Sequence, residues 1–133
     1  MTEQVTYLSA EWRDEAERRL KSQLSPEKMN SITSSMSNIY LDCPDGTDKY
    51  LFFNFEKGEL KELSIGTGEP PKAEFKISGS YETFAKISRA ELGSQKALMT
   101  RKLKLKGNMV KALKLAAVAD RLNKVLSTIP AIY

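Results

Sequence analysis

Chemistry in a protein usually starts from a histidine, a cysteine or a pair of carboxylates, and this chain has no histidine and one cysteine, Cys43. The commonest general base and the commonest metal ligand are therefore missing. Cys43 ends an apolar alternation just before Pro44. With no imidazole to take its proton, the thiol reads as a small apolar residue, and a lone cysteine excludes an internal disulfide. The acidic residues fall in polar helix faces, turns or charged strand faces. Gly66-Thr67-Gly68 runs into Pro70 and Pro71 instead of opening a helix, so it is no phosphate cradle. The expectation is a protein that is not an enzyme, with no catalytic residue, no metal and no cofactor.

The chemistry that remains is charge and grease. Of a formal net charge of +4, the segment between Leu92 and Ala119 has seven cations and no acid: Lys96, Arg101, Lys102, Lys104, Lys106, Lys111 and Lys114. That segment is +7 and the rest of the chain −3. Such a surface attracts phosphate backbones and anionic lipid headgroups alike. Nucleic acid is the weaker candidate, because Tyr50, Phe52 and Phe53 lie far in sequence from the lysines and are not interleaved with them as a stacking platform requires. The bland alternative is a solvated strand face continuing onto a helix.

These lysines lie where two periodicities meet at Gly107. Before it, Leu103 and Leu105 alternate with Lys102, Lys104 and Lys106, which is a strand with leucines on one face. After it, Asn108 can cap a helix with a wide apolar arc. Met109, Ala112, Leu113, Ala116 and Ala119 form one stripe, and Leu115, Val118, Leu122, Val125 and Leu126 the next. Covering a sheet needs one stripe. The surplus has to meet another helix, another subunit or an apolar ligand.

The preceding elements follow from the same rules. Ser9 caps a helix with Trp12, Ala16, Leu20 and Leu24 at spacing four, and Ser25-Pro26-Glu27 starts a short helical turn toward Asn30. Ser35 to Cys43 reads as a strand with Ile39, Leu41 and Cys43 on one face. Lys49 to Glu56 is a second with Leu51, Phe53 and Phe55 inward, and Lys57-Gly58 turns into a third over Leu60 to Ile65. Ala73, Phe75 and Ile77 define a fourth. Ser80 caps a helix presenting Tyr81, Phe84, Ala85 and Ile87, and Ser94 opens a short one containing Ala97, Leu98 and Met99. The first six residues and the tail from Pro130 to Tyr133 are the candidates for disorder. The whole, residues 1–133, is one α+β domain with an antiparallel-dominated sheet of five strands. No apolar run reaches a membrane span and the start lacks a secretory signal, so a cytoplasmic protein is expected.

Four blocks carry a resemblance: Ala73-Glu-Phe-Lys-Ile-Ser-Gly-Ser-Tyr-Glu-Thr-Phe84, Gln95-Lys-Ala-Leu-Met-Thr100, Lys102-Leu-Lys-Leu-Lys-Gly-Asn-Met109 and Ala112-Leu-Lys-Leu115. Together with the element order they resemble the sterol carrier protein 2 family. Glu74 stands where that family usually has Asp, and Arg101 where a glycine often precedes the strand. The end Ala-Ile-Tyr is not a peroxisomal address, which removes sterol itself as the default cargo.

The resemblance implies five strands covered by helices around a hydrophobic tunnel, which holds a fatty acid, acyl-CoA, phospholipid or sterol without chemistry. The residues expected to line it are Phe53, Phe55, Phe75, Ile77, Phe84, Leu98, Met99, Leu103, Leu105, Met109, Leu113 and Ala116. Met99, Met109 and Leu113 stand out, because adaptable side chains near a strand-to-helix junction suit cargo of varying shape. Lys102, Lys104, Lys106, Lys111 and Lys114 are expected to meet a headgroup or a transiently contacted anionic membrane surface. The rival reading is a basic-surface module for nucleic acid or anionic membrane. Monomer and dimer are both open.

Overall fold

The computed structural model describes residues 4–133. Its elements run β1 (Val5–Thr6), α1 (Ala10–Gln23), β2 (Ser34–Leu41), β3 (Lys49–Glu56), β4 (Glu59–Thr67), β5 (Phe75–Ser80), α2 (Tyr81–Ser88), α3 (Ser94–Met99), β6 (Lys104–Lys106), α4 (Met109–Leu126) and β7 (Ala131–Ile132). Three of the four helices begin where a side chain can take up a free amide. Ser9, Ser80 and Asn108 accept from the backbone N–H of Trp12, Thr83 and Lys111, each cap contributing about 1 kcal/mol. After α1, Ser25 and Pro26 start a single turn, with the Lys28 amide donating to Ser25 Oγ.

The five-stranded sheet has the order β4-β3-β2-β5-β6. β2, β3 and β4 form the expected antiparallel meander, β5 joins β2 in parallel, and β6 closes the far edge antiparallel to β5. The core is one apolar cluster on one side of this sheet, with Trp12, Ala16 and Leu20 of α1 and Leu51, Phe53 and Phe55 of β3 all buried. α4 buries Ala112, Leu115, Ala116, Val118, Ala119, Leu122, Val125 and Leu126. Its wide arc is explained by its neighbours, since it packs mainly beside α3 and α1.

In β2 the inward face is the opposite of the one expected. Met36, Asn38 and Tyr40 face the helices, while Ile39 is half-buried and Leu41 is exposed. β2 is the central strand, and its other face is covered too, Ser37 Oγ donating to the carbonyl of Pro71 at 2.8 Å. With both faces partly covered, alternation loses its contrast. The tail differs as well. Val5 and Thr6 pair in parallel with Ala131 and Ile132, Val5 N donating to Pro130 O at 3.0 Å and Tyr7 N to Ile132 O at 2.9 Å. Unpaired backbone groups at two chain ends satisfy each other. The expectation of disorder for residues 1–3 lies outside the described residues.

Tyr7 follows β1 into the core and ties three elements by hydroxyls. Its Oη lies 2.8 Å from Tyr40 Oη and 2.5 Å from Ser88 Oγ, and the Tyr40 ring stacks on Phe84 at 4.3 Å. Burial pushes both phenols well above their ordinary range. A phenol that stays neutral in the fold but ionises near pH 10 when unfolded leaves the unfolded chain binding fewer protons above that pH, so stability falls as pH rises further. Denaturant unfolding across pH 9–12 should show this loss, and Tyr7→Phe should flatten its slope.

Gly107 turns β6 into α4 at φ +140°, and a Cβ there would lie 2.8 Å from Phe75 Cδ1. Gly107→Ala should therefore lower stability by about 2 kcal/mol, read as a shift in the denaturant midpoint.

Candidate functional site

Between α4 and the sheet lies a cavity of about 40 Å³. Met36, Asn38 and Tyr40 come from β2, Leu51 and Phe53 from β3, and Ile77 from β5; Phe84, Ile87 and Ser88 come from α2, with the remaining wall from α3, α4 and Leu103. No charged side chain is among the lining residues. α4 gives this wall a run of small side chains, Ala112, Ala116 and Ala119, between Leu115 and Leu122. That is room for about three waters. The cavity in this structure is thus too small for an acyl chain, and leucines and alanines of α4 are both in its wall.

Six of the twelve residues expected to line a tunnel do line this cavity: Phe53, Ile77, Phe84, Leu98, Leu103 and Ala116. Phe55 lies instead beside Leu20, Leu24 and Met29 under α1. Leu105 and Leu113 are partly buried against the core without reaching the cavity. Met99 and Met109 are 68% and 46% exposed, and Val110 next to Met109 is 65% exposed. Adaptability of the side chain does not decide their place: Met99 ends α3 and Met109 opens α4, each at a helix end where the wall has already turned away. The alternation of β2, read on its other face, would have found Met36, Asn38 and Tyr40. The i, i+4, i+7 spacing of Ala112, Ala116 and Ala119 marked the inward stripe of α4.

Phe75 lies in a separate, open groove of about 330 Å³, with Ile32, Leu115, Val118, Lys111 and Lys114 among its walls. Leu115 lines both the groove and the inner cavity. At the groove rim, Lys111 Nζ donates to Glu74 at 2.8 Å, and that ammonium with the Ser34 hydroxyl holds the Glu74 carboxyl below its usual range. Among the described residues Lys114 has no carboxylate partner. The other lysines are elsewhere. Lys104 and Lys106 stand exposed on edge strand β6, where Lys106 is directly opposite Lys76 of β5. The basic segment therefore splits into a pair at the groove and a row on the outer sheet edge, where like charges face each other at some cost.

What fastens α4 is polar and peripheral. The Asp120 carboxylate accepts from Ser94 N at 2.7 Å, supplying the cap that α3 lacks from its own residue Gly93. Asn123 Nδ2 donates to Ser94 Oγ at 3.1 Å, and Arg121 to the carbonyl of Lys28 at 2.6 Å. Cys43 is buried with Sγ 3.5 Å from Tyr40 O, and burial pushes its thiol up, away from reactivity. Among the described residues there is no group of three or more metal-ligating side chains and no helix long and apolar enough to cross a membrane.

A chain of this layout has known counterparts. The crystal structure of sterol carrier protein 2 superposes with a TM-score of 0.78 at 22% identity, covering 92% of this chain and 98% of that one. A conserved hypothetical protein of Thermus thermophilus superposes with a TM-score of 0.80 at 20% identity, covering 98% and 94%. By sequence, hydroxysteroid dehydrogenase-like protein 2 of Bos taurus is 32% identical over 114 residues, which is 85% of this chain and 26% of that protein. The chain thus spans about a quarter of that relative's length. The family described as the SCP-2 sterol transfer family matches residues 14–120. With its four helices laid over a five-stranded sheet and that match across most of its length, the chain belongs to the SCP-2 sterol transfer family.

Proposed function

We propose that this protein takes the apolar body of a lipid into the space between α4 and the sheet and hands it on without chemistry. The cargo is an acyl chain of a fatty acid, acyl-CoA or phospholipid, or a sterol. The observation that carries this reading is the uncharged wall: six elements converge on one cavity and bring no ionised side chain to it. A chain of roughly sixteen carbons has about 10 kcal/mol of transfer free energy at ~0.8 kcal/mol per buried CH₂. Part of that is enough to open the cavity and still bind at micromolar concentration.

Loading requires α4 to lift from the sheet. Most of the side chains that meet there make only non-directional contacts, which a methylene chain can replace without breaking a hydrogen bond. The hydrogen bonds of α4 lie at its margins, where they can act as hinges. The groove that shares Leu115 with the cavity is the access route in this reading. Lys111 and Lys114 at its rim face the anionic surface from which cargo is drawn, and the cytoplasm is the compartment we assign.

Protein purified without detergent should carry lipid visible by native mass spectrometry, and delipidated protein should bind a fluorescent fatty acid saturably at micromolar concentration. Ala116→Phe, which fills the cavity from α4, should weaken that binding about tenfold or more while circular dichroism stays unchanged. A folded wild-type protein that neither carries nor takes up any chain would refute the proposal. Lys111→Ala with Lys114→Ala should slow transfer to anionic vesicles and reduce its salt dependence, leaving affinity for the free chain the same.

A further inference from the structure

One polar group in the greasy wall has no side-chain hydrogen-bond partner among the described residues. Asn38 occupies the inner face of the central strand, opposite Leu51 on one side and Ile77 on the other, and all three line the cavity. Its neighbours along β2 are satisfied: Ser37 Oγ bonds Pro71 O, and Tyr40 Oη bonds Tyr7 Oη. Among the described residues the Asn38 side chain has no such partner. A central strand does not need an amide here, since Leu or Val would complete the apolar surface between Leu51 and Ile77. Asn38 is half-buried, and an amide facing a mainly apolar cavity is costly there unless something pairs with it.

We infer that Asn38 is the hydrogen-bonding site for a neutral polar group of the cargo, a hydroxyl or an ester carbonyl, held inside the cavity. This rests on the lipid-carrier reading and narrows its ligand class. The amide offers both a donor and an acceptor, which matches a hydroxyl on both counts and a carbonyl on one. An ionised carboxylate would be poorly served, because no cationic side chain lines the cavity to balance it. The lysines stand at the groove rim and on the sheet edge, outside. The cargo accordingly goes in with its uncharged polar end toward β2 and its apolar body toward Leu115. A plain saturated chain fills the same space but leaves the amide unpaired.

The test compares 1-dodecanol with dodecane, both delivered from cyclodextrin, as competitors of a bound fluorescent fatty acid. Wild-type protein should release the probe at about tenfold lower dodecanol than dodecane. Asn38→Leu should abolish that preference by weakening dodecanol while leaving dodecane unchanged or stronger. The side-chain amide signals of Asn38 in a ¹H–¹⁵N spectrum of the wild type should shift with dodecanol and stay put with dodecane, a readout that does not depend on the variant folding. Equal competition by the two compounds, an Asn38→Leu protein that keeps the preference, or unmoved amide signals would each overturn the inference while the lipid-carrier reading stands. A wild type that binds neither the probe nor either compound would overturn both.

Discussion

The contact on which the rest of the structure depends is that between α4 and the sheet, and among the described residues no hydrogen bond joins the two at its centre. The backbone neighbours of α4 are mainly in α3 and α1 rather than in the sheet, and its leucines and alanines line the space beneath it. Hydrophobic burial is proportional to area and indifferent to the identity of the apolar partner. An interface of this kind holds a helix firmly against water yet yields to hydrocarbon. Had α4 been joined to β2 or β5 by buried hydrogen bonds, opening would have left each of those groups unpaired, and the cavity would be a fixed void.

The hydroxyl cluster in the cavity wall shows the contrasting kind of bond. Tyr7, Tyr40 and Ser88 tie the start of the chain, the central strand and α2 together through buried oxygens. Such a network is expensive to break, because each hydroxyl loses its partner in a low-dielectric setting. The domain thus has one wall pinned by buried hydroxyls and one whose hydrogen bonds join α4 to α3 and the turn after α1 rather than to the sheet. In the proposed lipid-carrier reading, this division would let a small fold admit a guest without unfolding around it.

Much of this could be read from residue order, and the limits have identifiable causes. Ser9, Ser80 and Asn108 were legible as caps because capping is local chemistry, and β3 matches its expected span of Lys49–Glu56 because one of its faces alternates cleanly. The face of β2 was not legible, since a central strand covered on both sides sends Ile39 outward and Asn38 inward against the hydropathy of each. Half of the residues expected to line a tunnel face the inner cavity, because apolar positions of β3, β5, α2, α3 and α4 all turn toward the same core. Met99 and Met109 were misplaced because side-chain character says nothing of where a helix ends relative to its neighbours. Asn38 and Ser88 could not be told from surface polar residues before the strands and helices were assembled.

The short ribbon of β1 and β7 sets residues near the two ends of the chain side by side, in parallel, with Val5 against Ala131. Closing a loop costs more conformational entropy the longer it is, and this pairing encloses nearly the entire polypeptide. Two strands of two residues cannot recover that cost alone, so the ribbon zips only after the intervening elements have shortened the distance between its halves. In refolding it belongs to the late steps. In native-state hydrogen exchange its amides should open by their own low-energy excursion, well before the sheet does.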